Sequence, residues 1–374
     1  MLYLFQLFAN CCFHFRTLNV RNCRKVTDVG VEALCVSVDH MGKANETLGQ
    51  CKSIVNLKTI GTEVTIIGIH IGLKNLPNLI YWDMVSFQTL IEMQSQMDLK
   101  KEFVEIPKCF SNCNELEYGD QLSYGNQHSL APYTSGSLKM VLPFCSFLSK
   151  VHITTLSGFM DADLLCLVYL EKLRKLEIHG CELSTGNEIT FDDGIIPLLQ
   201  AKGPNLIELK LIKLRTPINI STVTELCPNL HTLYLSKNHI YTSNSSMFQP
   251  KFEMKKLELL IIESLRSCDK SCEIPSENLA FLLSSPLLKT ISVKLCDTLT
   301  DDHLLKIGKV NPSLRQLCLV GCNSITVKGV NTFMQENEIS GVYLYSCRNI
   351  SQYDAIKWER EALQKNWDLY LVYH

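Results

Sequence analysis

The chain has little of what would announce a chemistry. Its charge is nearly balanced: 36 Lys and Arg face 38 Asp and Glu over 374 residues, a formal net charge of −2. A phosphate backbone is held by surplus cations, so no nucleic-acid partner is expected. Glycine supplies only 18 residues and aromatics 8%, while hydrophobic residues reach 46%; this excludes a collagenous or a disordered chain. No stretch approaches the roughly 18 uninterrupted apolar residues of a membrane span, so no membrane partner is expected. There is no HExxH, no GxSxG, no P-loop and no GxGxxG turn. The glycines of GTEVTIIGIHIG at 61–72 lack that spacing and a phosphate-binding lysine. The chain is therefore read as no enzyme, with no catalytic residue and no cofactor. Regular CxxC pairs are missing too. Cys268 and Cys272 form a near-pair without histidines to complete a metal set, and Cys11 and Cys12 are merely adjacent.

Cysteine itself is abundant, with 17 residues. An odd total without regular pairing argues against a disulfide scaffold and for reduced thiols packed as small hydrophobes. A cytoplasmic or nuclear location follows as an expectation. The opening MLYLFQLFANCC resembles a secretory leader only in its apolarity: it lacks a basic start, and the first arginine is Arg16. The sequons at Asn45, Asn219, Asn244 and Asn349 add little.

One pattern recurs along the chain: apolar-x-x-apolar-x-apolar. It begins at Leu173, Leu206, Leu230, Leu257, Leu288, Leu314 and Ile339, at intervals of 33, 24, 27, 31, 26 and 25 residues. Upstream it starts at Phe15, Ile54, Leu79 and Leu148, with a degenerate copy around Leu116; positions 119 to 137 read as a loop or a disturbed repeat. The apolar-x-apolar core has the period of a short strand with one buried face. Helical stretches follow: TDDHLLKIGKVN at 300–311, capped by Thr300, with Leu304, Leu305 and Ile307 on a common side; FDDGIIPLLQAKG at 191–203, shortened or broken at Pro197; and SENLAFLLSSP at 276–286, capped by Ser276. The acidic pairs Asp161/Asp163, Asp192/Asp193 and Asp301/Asp302 fall at helix starts, where they favour the dipole. Such units cannot bury their apolar faces singly, so they must stack. The fold class is α/β: one curved solenoid of stacked strand–turn–helix units rather than several domains.

The eighth residue after each first anchor is Cys23, Cys181, Cys296, Cys322 or Cys347 in five units and Asn238 in a sixth. Here the chain turns inward past the strand, and buried backbone groups need partners. A thiol or a carboxamide supplies them, so these cysteines read as structural.

RTLNVRNCRKVTDVGVEALC at 16–35, LKTISVKLCDTLTDDHLLKIG at 288–308 and LRQLCLVGCNSITVKGVNTF at 314–333 resemble the cysteine-containing class of leucine-rich repeats; in the last, Val327 takes the usual acidic place. CPNLHTLYLSKNHI at 227–240 is similar, with asparagine for cysteine. Such repeats are best known in F-box leucine-rich-repeat proteins, the substrate receptors of cullin-RING ubiquitin ligases, and in the antagonist-of-mitotic-exit protein. The resemblance covers 145–350 well and 13–100 poorly. It implies a leucine-rich-repeat solenoid, or horseshoe, with a parallel concave sheet and a mostly helical convex side, and a protein-recognition subunit; the alternative is an adaptor or scaffold unconnected with ubiquitin. A third reading, an extracellular recognition protein, requires paired cysteines. Because a repeat begins near Phe15, no F-box fits before it. The chain is then either an N-terminally incomplete receptor, whose missing part would dock the Skp–cullin adaptor, or a relative without that module.

The domain reading is a leader or improvised cap at 1–12, repeats over 13–350 that are clear from 145 and degenerate over 85–145, and a C-terminal cap at 351–374. In that cap, Ile356, Leu363 and Trp367 share a helix side and LYLVYH alternates like a strand. On the concave sheet the exposed positions include Glu177, His179, Lys210, Tyr234, Lys294, Tyr343 and Tyr345. Tyrosine gives a partner contact area at small entropic cost, so these seven are the protein-binding candidates.

Overall fold

The computed structural model describes residues 14–35, 53–98, 115–118, 133–145, 148–154, 159–180, 189–214, 216–241, 254–264, 274–364 and 370–373. The segments 1–12 and 119–132, Cys181, the Cys268–Cys272 pair and Trp367 lie outside them. The chain divides into two compact units, Met1–Leu173 with Ser184–Glu188, and Arg174–Leu183 with Ile189–His374.

In the first unit, β1 (Thr17–Asn19), β2 (Asn56–Lys58) and β3 (Tyr81–Trp82) form a parallel sheet in which Leu18 pairs with Leu57 and Leu57 with Trp82. β4 (Glu115–Tyr118) pairs in parallel with β5 (Lys150–Thr154), Leu116 opposite Val151. The degenerate repeat around Leu116 is thus a strand in register. Helices Asp28–Cys35, Ile66–Asn75 and Phe87–Asp98 follow the first three strands.

The second unit carries β6 (Lys175–His179), β7 (Glu208–Ile212), β9 (Thr232–Ser236), β11 (Leu259–Glu263), β12 (Thr290–Lys294), β13 (Gln316–Val320), β14 (Gly341–Tyr345) and β15 (Tyr370–Tyr373), side by side and parallel. Register is kept throughout: Leu176, Leu209, Leu233, Leu260, Ile291, Leu317, Val342 and Leu371 form one row. The anchors from Leu176 to Val342 are at most 1% exposed. A short pair, β8 (Ile218–Asn219) and β10 (Ile240–Tyr241), lies outside this sheet.

One corner recurs in both units. The residue seven places after the first anchor has positive φ at Asn22, Gly61, Lys213, Lys237, Leu295, Gly321 and Ser346, between 52° and 79°. Its N–H still serves the sheet: Lys213, Lys237, Leu295 and Gly321 donate to the carbonyls of Ser236, Glu263, Val320 and Tyr345 on the next strand, at 2.7–2.8 Å. A left-handed residue reverses the chain in one step, so the next side chain points inward. At Gly180, the same place without positive φ, a Cβ would stand on the Lys213 carbonyl, and glycine is needed for that close approach.

The inward side chain then closes the corner. Asn238 Nδ2 donates to the Leu211 carbonyl at 2.6 Å and its Oδ1 accepts from Leu214 N–H at 2.8 Å. Cys322 donates to the Val293 carbonyl at 3.4 Å and Cys347 to that of Leu319 at 3.7 Å, the equivalent acceptors of their preceding repeats. The described thiols at this position, Cys23, Cys296, Cys322 and Cys347, are all free. Burial pushes the Cys322 thiol up to about 12.

Helix starts are clasped across repeats. Asp28 accepts from Thr65 N–H at 2.7 Å and Thr65 Oγ1 at 2.6 Å, and Asp301 does the same for Thr326 at 2.9 and 2.6 Å. A Cβ on Gly68 or Gly329 would stand on the respective carboxylate. Asp163, 1% exposed, gathers Tyr133 Oη, Ser135 Oγ, and the N–H groups of Gly136 and Met160. These acids are occupied at helix starts.

Three local expectations change. Ser276 is the first residue of helix Ser276–Leu282 rather than its cap: Pro275 precedes the helix, and Ser276 Oγ lies 3.0 Å from His303 Nε2. On helix Asp301–Val310 the buried side is His303, Leu304 and Ile307, with Leu305 partly exposed, because His303 ties Thr300 to Ser276. Helix Gln352–Gln364 buries Ala355, Trp358 and Ala362, whereas Leu363 is 81% exposed and Ile356 39%. Small alanines allow close packing, and the Trp358 indole N–H reaches Asn331 Oδ1 at 2.7 Å. Pro197 sits in the first turn of helix Ile196–Lys202, after a widened π turn over Phe191–Ile195.

Candidate functional site

The strands of the second unit alternate, so positions between the buried anchors share the sheet face away from the helices. Glu177, Lys210, Tyr234, Ile261, Ser292, Cys318 and Tyr343 align in one row, and His179, Ile212, Ser236, Glu263, Lys294, Val320 and Tyr345 in the next. All seven residues singled out from the sequence lie on this face and are half-buried.

They fall into two chemically different groups. On β6 and β7, Glu177 holds His179 Nε2 at 2.7 Å and Lys210 Nζ at 3.0 Å. Glu208 bridges Lys210 and Lys175, each at 3.2 Å. Burial works against the charge on Lys210, but Glu177 and Glu208 outweigh it and raise its pKa above the usual lysine value. Burial also opposes ionisation of Glu208, yet its two lysines hold it below the usual carboxylate range. This end is a lattice of mutually satisfied charges. Lys175 and Glu208 were missed in the sequence because they precede the strand core by one step; the two-residue alternation 175, 177, 179 is the signal that finds them.

On β9 and β11, Tyr234 Oη and Ser236 Oγ both donate to Glu263 Oε2, at 3.1 and 3.0 Å. Burial, together with the carboxylates of Glu263 and Glu177, pushes the Tyr234 phenol up. Lys294, Tyr343 and Tyr345 stand on β12 and β14, among the uncharged Ser292, Cys318 and Val320. The seven are therefore not one cluster but the two ends of a continuous face. No nucleophile–base pair is formed by them.

A leucine-rich-repeat family model matches residues 11–35, the stretch that holds β1 and the helix after it. No curated protein matches the chain. Among solved structures, Rad7 in its complex with Elc1 from yeast is similar over 94% of this chain and 80% of that one, with a TM-score of 0.60 and 16% identity. An internalin, InlF, from Listeria monocytogenes aligns over 85% of this chain and 83% of its own, with a TM-score of 0.40 and 14% identity. At such identities a likeness concerns the fold alone. Parallel strands in register, seven of them closed by the same left-handed corner and most followed by a helix, make this fold a leucine-rich-repeat solenoid.

Proposed function

We propose that the chain is a protein-recognition subunit that holds a protein partner on the open face of β6–β14. The observation that carries this reading is the face itself: seven strands in register offer paired charges at one end and tyrosines beside Lys294 at the other. Recognition by a rigid strand scaffold needs no ordering of the binding surface beforehand. Rad7, of like fold, was crystallised in a complex with another protein, which supports the same use here. Within this reading the role resembles that of F-box leucine-rich-repeat receptors, which select substrates for cullin-RING ligases in the cytoplasm or nucleus. A ubiquitin-independent adaptor is the second reading.

Affinity isolation of the full chain from its source cells, with identification of the bound proteins, tests the proposal. Tyr234→Glu combined with Tyr343→Glu should abolish capture of the principal partner, with circular dichroism showing the fold retained despite the lost Tyr234–Glu263 hydrogen bond. A partner still captured by that variant would overturn the proposal. Recovery of the Skp–cullin adaptor supports the receptor role, and a stable partner without it the adaptor role.

A further inference from the structure

We infer that helix Gln352–Gln364 and β15 pair with the same elements of a second copy of this chain across a twofold axis. This goes beyond the reading of the open face and does not depend on it.

Successive helices of the second unit meet through recurring positions. Asp301, the first residue of its helix, accepts from Thr326 at the start of the next. Asn331, the fifth of its helix, accepts the indole N–H of Trp358 at 2.7 Å. At Gly308, an eighth residue, a Cβ would stand on the Asn337 carboxamide. In helix Gln352–Gln364 these positions are Gln352, Ile356 and Glu359, and one turn further Leu363. At 100° per residue the four lie on one line along the helix. All four are exposed, Leu363 most of all at 81%. The side that would receive a following helix is thus uncovered and carries two large aliphatic side chains. The strand layer is open in the same direction. β15, against which this helix packs, is the last strand of its sheet, with β14 its one strand neighbour among the described residues. Its sequence YLVY contains neither charge nor proline, the usual guards of a strand edge.

A second copy answers this edge in kind. Antiparallel helices related by a twofold axis meet at residues whose numbers have a constant sum. With Ile356 against the partner's Leu363, Glu359 falls opposite the partner's Arg360, and Arg360 opposite the partner's Glu359. Both charges are exposed, and among the described residues neither forms an ion pair within its own chain. Lys357 and Glu361, by contrast, already face each other along the helix at 3.9 Å. An unrelated helix would need only an apolar stripe. An order of apolar, acidic, basic and apolar residues that answers itself when reversed is what an isologous contact requires. The same axis, normal to the sheet, lays β15 antiparallel to its copy, where the outer backbone groups of both strands find partners. Both open faces then stay uncovered on one side of the dimer.

Sedimentation velocity of the full chain from about 1 to 100 μM, the range in which a small interface associates, should show a monomer–dimer equilibrium. Glu359→Arg gathers guanidinium groups of both copies at the axis, and Arg360→Glu gathers carboxylates. Each should raise the dissociation constant about tenfold or more, as like charges in close contact do. The double exchange, Glu359→Arg with Arg360→Glu, should restore association to the wild-type level. Leu363→Glu should abolish it. The three positions are exposed, and equal unfolding midpoints at concentrations where the chain is monomeric establish that the variants fold. A chain monomeric at every concentration would overturn the inference. So would a dimer indifferent to Leu363→Glu, or a double exchange that associates no better than either single one.

Discussion

Asn238 carries two buried hydrogen bonds that no backbone group could make in its place. Its carboxamide gives a proton to Leu211 and takes one from Leu214, and it is 4% exposed. Asn238→Ala leaves both backbone groups without partners and should cost about 2–4 kcal/mol in urea unfolding. Asn238→Cys, the residue used at the corners of other repeats, keeps a donor for Leu211 and should cost about half as much. The thiols make a separate statement through pH. Burial pushes both Cys227 and Cys322 from an ordinary 9.0 up to about 12. Their protons stay on in the folded chain and leave on unfolding between those values. Stability is therefore full below pH 9 and falls as pH rises from about 9 towards 12, by about 1.4 kcal/mol per unit for each thiol. Urea midpoints from pH 8 to 10 measure this, and Cys227→Val with Cys322→Val should flatten the slope.

At the scale of elements, strands and helices are joined by devices that span repeats. Asp301 fixes the N–H and hydroxyl of Thr326, and Gly329 leaves room for its carboxylate. Asp301→Ala should cost about 2 kcal/mol through the lost charged hydrogen bonds. Gly329→Ala should destabilise the wild type by displacing that carboxylate. In the Asp301→Ala background the same change should be neutral or stabilising, since alanine favours a helix over glycine by about 1 kcal/mol. Additive costs in a double-mutant cycle would refute the clasp. The strands were legible because Leu-x-x-Leu-x-Leu exposes period two directly, even at Leu116. Helix faces were read less well. In YDAIKWEREALQ the larger aliphatics Ile356 and Leu363 drew attention, while alanines and Trp358 fill the interface, because close approach there favours small side chains.

Across the whole molecule, stacked repeats share a core only with their neighbours. Leu317 is fully buried on β13 between β12 and β14. Leu317→Ala should cost about 2–5 kcal/mol. Its loss of amide-exchange protection should concentrate in residues 288–345 and fade within the second unit, as nearest-neighbour coupling requires. Equal loss over all strands of that unit would contradict this. The open face follows from the same stacking. Each repeat contributes two or three outward positions, and only register turns them into rows.

The order of residues alone set the repeat, its strand period and the corner where a cysteine or asparagine turns inward, since those depend on near neighbours in the chain. The seven face positions were also legible, because alternation along a strand is local. Which of them meet was decided in three dimensions. Glu177 reaches Lys210 across 33 residues, and Glu263 is taken by Tyr234 and Ser236 rather than by Lys294. Intervals of 24 to 33 residues carry no hint of which side chain on one strand answers which on the next. Lateral pairing is a property of packed strands, and only the assembled sheet brings Glu263 to Tyr234 and Ser236.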